Sequence, residues 1–147
     1  MANTNVQRKV EDWVRKEWMK KFYGKNFYRD RIKLSSGGVF EFDAVSQDGD
    51  IIASISTSSA ITATGRRAAG PLHKIRADIL FLIMTSIERK IIIFTEQNLY
   101  DVFMKEIKEG RVPRNIEFEL VKIPNDMSME LKDARNIASK EVSPNYI

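Results

Sequence analysis

The chain has 147 residues, 43% hydrophobic and 30% charged, a balance that suits one globular domain with a real core rather than a disordered or fibrous chain. Cysteine is absent, which excludes disulfides and thiolate metal sites. No apolar run approaches the roughly 20 residues of a membrane span. The excess of 24 Lys+Arg over 20 Asp+Glu, +4 in all, permits nucleic-acid binding without demanding it.

The N-terminal stretch MANTNVQRKVEDW has no apolar signal core, so a cytoplasmic address is expected. From Val6 to Phe22, Val6, Val10, Trp13, Val14 and Trp18 recur at helical spacing. Asn5 or Thr4 can cap this helix and Gly24 can end it, with Lys20 and Lys21 in its last turn. Glu11 lies at the edge of the apolar stripe and Glu17 inside it; their plainest role is pairing with Arg15 and Lys21 at i,i+4. Asn26–Leu34 reads as a strand, and Ser35-Ser36-Gly37-Gly38 as a turn.

The central stretch, Gly37–Ser58, reads as a hairpin. Val39, Glu41, Asp43 and Val45 alternate with Phe40, Phe42 and Ala44, the period of a pleated strand. Gln47-Asp48-Gly49-Asp50 supplies turn chemistry, and Ile51–Thr57 resumes as a β-branched strand. Alternation places Glu41 and Asp43 on one face of the first strand and Ser54 and Ser56 on one face of the second. All four are expected to project from the same side of the sheet.

Thr57–Gly70 is small, polar and glycine-bounded, and reads as a pliable loop carrying Arg66 and Arg67. Paired arginines there suit phosphate contacts, because a guanidinium grips two phosphate oxygens at once. Pro71 opens a helix to about Ser86 whose second half is expected to be buried, with His73, Lys74, Arg76 and Asp78 in its first half. Lys74 pairs with Asp78 at i,i+4. Ile91–Thr95 is apolar throughout, as in a strand buried on both faces. Asn98–Glu109 reads as a helix capped by Asn98 and stopped by Gly110. Ile116–Ile123 reads as a strand, Ser128–Glu141 as a weaker helix, and the residues from about 143 as a loose tail. The order α-β-β-β-α-β-α-β-α predicts one α/β domain over the whole chain, 1–147, with no repeat or linker.

The hairpin and this element order resemble the restriction-endonuclease-like, PD-(D/E)XK, nuclease superfamily over roughly Val6 to Ile123. In that family an Asp ends one strand and an acid–apolar–Lys triplet lies on the next. Asp43 matches the Asp, and the triplet falls on Ser54-Ile55-Ser56, where both charged members are serine. The resemblance implies a three-layer α/β/α fold with a mixed sheet. It also implies Mg²⁺ as cofactor if the site is active, held by Asp43 and Glu41, with DNA or RNA as partner and homodimers as one arrangement. A glutamate of the first helix leans into the metal site in many members, which points to Glu11. Some members carry the catalytic lysine on the helix after the hairpin, which points to Lys74. Three readings follow. One is a nucleic-acid-binding protein with an eroded centre, its phosphate contacts coming from Arg66, Arg67, His73, Lys74 and Arg76. Another is an Mg²⁺-dependent nuclease with a migrated site of Glu11, Asp43 and Lys74, assisted by the hydroxyls of Ser54 and Ser56. The third is a protein-interaction subunit without catalysis. No GxxxxGK, GxGxxG or GxSxG occurs, so phosphate-loop and nucleophile-elbow chemistries have no support.

Overall fold

The computed structural model describes residues 4–142; the expected loose tail lies outside them. Helical periodicity at the N-terminus becomes one helical segment in three parts: α1 (Thr4–Trp13), a π-helical turn (Val14–Trp18) and α2 (Met19–Tyr23). Gly24, at φ 70°, ends it by donating its N–H to the Lys20 carbonyl, a left-handed closure that only glycine adopts without strain. The chain continues as β1 (Phe27–Lys33), β2 (Val39–Ser46), β3 (Ile51–Ser56), α3 (Ala69–Ile83), β4 (Arg89–Phe94), α4 (Gln97–Lys108), β5 (Ile116–Leu120) and α5 (Asn125–Val142).

The five strands form one mixed sheet in the order β1-β2-β3-β4-β5. Tight turns make β1–β2 and β2–β3 antiparallel, whereas α3 and α4 carry the chain across to parallel β4 and β5. Both faces are covered. On one, Val10, Val14 and Met19 of the N-terminal segment and Leu131 of α5 pack on Ala44, Ala53, Ile55, Ile91 and Ile93. On the other, Ile75, Ile79 and Leu82 of α3 and Leu99 and Phe103 of α4 pack on Phe42, Val45, Ile52, Ile92 and Phe94. This explains the unbroken apolar run of β4, whose Ile91, Ile92, Ile93 and Phe94 are all fully buried. The expected α/β class and element order are those observed.

Three local expectations are corrected. The 3.6-residue period could not tell which apolar residues of α3 would find a neighbour, and Leu80 and Ile83 are exposed. Asn98 does not cap α4. Glu96 occupies the cap position, and Asn98 instead accepts from Ala60 N–H and donates to Ser59 Oγ, tying α4 to the loop after β3. That loop is not shapeless. Ile61 pairs with Arg67, and Ala68 N–H donates to Ala60 O, forming a small hairpin around Gly65 (φ 83°).

Candidate functional site

The sheet opens at one point. β2 and β3 pair at Ala44↔Ala53 and Val45↔Ile52. Beyond that, β2 stays with β1 through Phe42, Glu41, Phe40 and Val39, while β3 stays with β4 through Ser54, Ile55 and Ser56. Asp43 stands at the root of the fork. Its Oδ2 accepts the N–H of Ile55 at 2.8 Å, so the carboxylate satisfies a strand group that the departing partner leaves free.

Asp43 also lies at a β-bulge. The β1–β2 register runs Tyr28↔Val45 and then Asp30↔Phe42, so β2 carries one extra residue there. An extra residue reverses the facing of every side chain beyond it. Phe42 therefore joins Val45 and Ile52 on the α3/α4 side instead of the opposite one, and Phe40 packs there too. Glu41 is turned to the other face. Exposed, it pairs with Arg29 of β1 at 3.4 Å. Ser54 follows Ile52 onto the α3/α4 side, where it is buried, and Ser56 is half-buried with its Oγ accepting Ser58 N–H at 3.4 Å. The expected single face of Glu41, Asp43, Ser54 and Ser56 is thus corrected. The bulge separates Glu41 from the two serines.

Charges reach the fork from both helical layers. Glu11 of α1, half-buried, has its carboxyl pushed up to about 7, first by desolvation and then by the negative charge of Asp43; Arg29, Arg15 and Lys74 oppose the rise. Asp78 of α3 is buried and its pKa is also raised, first by desolvation and further by Asp43, while Lys74 opposes it. Lys74 Nζ donates to Asp78 Oδ2 at 3.2 Å and remains largely exposed at the mouth. Glu11, Asp43, Asp78 and Lys74 therefore share one electrostatic neighbourhood contributed by α1, β2 and α3.

Arg15 holds this arrangement from beneath. The π-helical turn widens the helix and sets Arg15 inward, 5% exposed. Its Nη1 donates to the Asp43 carbonyl at 3.0 Å, and Nη2 pairs with Asp12. Sequence spacing had suggested Arg15 as a surface partner for Glu11, and no local pattern announces a π turn. Glu17, placed by spacing inside the apolar stripe, is exposed. Asp78 is the other contributor that helical spacing assigned only to an ion pair.

The basic candidates divide. Arg66 and Arg67 are exposed on the return limb of the small hairpin, and His73 is exposed in the second turn of α3. Arg76 is committed elsewhere: it pairs with Glu106 of α4 and lies 5.8 Å from the Phe103 ring centroid.

Asp43 and Glu11 are hard oxygen donors of the kind Mg²⁺ accepts, with water and substrate phosphate completing the shell. Among the described residues no three His, Cys, Asp or Glu side chains form a ready metal cluster. The carboxylates of Asp43 and Glu11 have the donor chemistry that an open, partly hydrated Mg²⁺ site uses. No described helix is long and apolar enough to cross a membrane. No family model matches the chain, and neither a curated protein nor a solved structure does.

Proposed function

We propose that the chain is a nucleic-acid-binding protein on a restriction-endonuclease-like scaffold, with the β2–β3 fork directed at backbone phosphate. The observation that carries this reading is the fork itself, where Asp43 emerges from the sheet while Glu11 and Lys74 arrive from helices on opposite faces. Lys74 supplies a mobile ammonium for a phosphate oxygen, and Arg66 and Arg67 extend the basic surface along the neighbouring hairpin. Ser54 and Ser56 carry no charge where the family's triplet has an acid and a lysine, so binding outlives ordinary catalysis in this reading.

A second reading has one observation in its favour. Asp78 and Lys74, both on α3, bring to the fork one negative and one positive charge, the two that Ser54 and Ser56 lack. In a migrated nuclease site Glu11 and Asp43 would hold Mg²⁺, whose Lewis acidity would polarise the scissile phosphate. Lys74 would stabilise charge developing on the phosphate, and Asp78 would hold Lys74 in place.

One series separates the two. The wild type, Asp43→Ala, Asp78→Asn and Ser54→Glu/Ser56→Lys are assayed for salt-dependent binding and for cleavage of DNA and RNA with Mn²⁺. Phosphate binding weakens steeply with salt. The binding reading expects steep salt dependence in the wild type and cleavage, at most, in the doubly restored protein. Wild-type cleavage lost in Asp43→Ala and Asp78→Asn establishes the migrated site. Absence of salt-dependent binding refutes both and leaves a protein-interaction role.

A further inference from the structure

Beside the fork lies a cavity of about 330 Å³, walled by Gln7 of α1, Ser58 and Ser59 just past β3, Ile61 of the small hairpin, Pro71 of α3 and Arg135 of α5. Helix geometry ties it to the charged site. Gln7 precedes Glu11 by four residues and Pro71 precedes Lys74 by three, so each pair shares a helix face, with Cβ atoms about 5–6 Å apart. The cavity and the fork are therefore about one helical turn apart along two different walls. Its volume lies at the small end of the roughly 300–1,000 Å³ typical of small-molecule sites.

The lining decides what fits. Among the described residues it contains no Asp or Glu, in contrast to the fork. The one cation among those residues is engaged: Arg135 Nη2 donates to Thr57 O at 2.6 Å and Nη1 pairs with Glu96 at 3.0 Å. The wall is thus poorly equipped for a second phosphate. Ser59 Oγ already accepts from Ile61 N–H and Asn98 Nδ2. The Gln7 amide and the Ser58 hydroxyl have no side-chain partner among the described residues. Each of these can both donate and accept, as the edge of a heteroaromatic base requires. Ile61 and Pro71 offer apolar surface for its faces.

We propose that this cavity is a nucleobase subsite that takes one unstacked base of a strand whose phosphate lies at the fork; the inference rests on the nucleic-acid reading above. A base held inside a duplex cannot enter such a pocket, so the ligand is single-stranded or has its base flipped outward.

Fluorescence anisotropy with a short oligothymidylate and an abasic oligomer of equal length and equal phosphate number tests it. The wild type is expected to prefer the base-bearing strand by about tenfold, the scale of one good base contact. Ile61→Trp fills the cavity from an exposed position (47% exposed) and is expected to abolish that preference while leaving the salt slope unchanged. Gln7→Ala, at an exposed helix position, is expected to reduce it and gives the same readout should tryptophan disturb the hairpin. Equal, steeply salt-dependent binding of both oligomers by the wild type overturns the base subsite and leaves phosphate binding standing. Failure to bind either oligomer overturns both.

Discussion

Replacing Glu11 by Gln removes a carboxyl that the fold holds protonated well above its usual range. Unfolded, Glu11 titrates at 4.5; folded, at about 7. Between those values the folded chain keeps a proton that the unfolded chain releases, so rising pH favours unfolding. The contribution is fully present below 4.5 and is lost as pH rises through about 7. At 1.36 kcal/mol per pH unit the rise from 4.5 to about 7 corresponds to about 3 kcal/mol. Solvent at the fork mouth screens the half-buried group and reduces the effect to about 1–2 kcal/mol. Urea unfolding followed by the fluorescence of Trp13 and Trp18, at a series of pH values from about 4 to 8, measures it. The wild type is expected to lose that amount relative to Glu11→Gln across the range, or about 2–4 °C of Tm per kcal/mol. Asp43→Asn, by removing the second cause of the rise, is expected to move the window to lower pH. A stability difference between wild type and Glu11→Gln that stays flat with pH would refute both the burial and the Asp43 coupling.

Three further outcomes follow from the same structure. Arg15→Met leaves the Asp43 carbonyl without its charged donor and is expected to cost about 1.5–3 kcal/mol in urea unfolding, the range for hydrogen bonds to charged groups; a loss under about 0.5 kcal/mol, the surface level, would show that the π turn does not support the fork. Phe42→Ala, at a position 1% exposed on the α3/α4 side, is expected to cost about 3–5 kcal/mol. A near-neutral result would contradict the packing of that ring between the sheet and the α3/α4 layer. Arg66→Ala with Arg67→Ala is expected to lower the log–log salt slope of nucleic-acid binding by about 1–2; an unchanged slope would leave both arginines as solvated hairpin residues.

Much of the fold was legible because burial repeats with the geometry of the backbone. The valines and tryptophans of residues 6–18 mark one helix face at a period of 3.6, and Ile91–Phe94 can be apolar at every position only where helices cover both sides of the sheet. Gly24 and Gly110, both at positive φ, stop helices where the chain must turn left-handed. Asp43 and Lys74 are singled out by the resemblance to the nuclease superfamily, which implies an acid at the end of the strand and a lysine on the following helix. The site they share was less legible. Nothing local distinguishes Asp78 from any surface ion-pair partner, and its burial exists only because α3 lies on the sheet.

The sequence by itself determined the elements, their order and the α/β class, because these follow from short-range periodicity and from turn residues that act within a few positions. Which way side chains face at the fork was decided only by tertiary structure. One extra residue in β2 at Asp43 reverses the facing of Phe42 and Glu41, and the extra residue is defined by pairing with β1 and not by anything in β2 itself. The π turn that buries Arg15 likewise has meaning only where the Asp43 carbonyl waits beneath it, 28 residues away along the chain. Charge placement at the fork depends on contacts between α1, β2 and α3, and such contacts leave no period in the sequence.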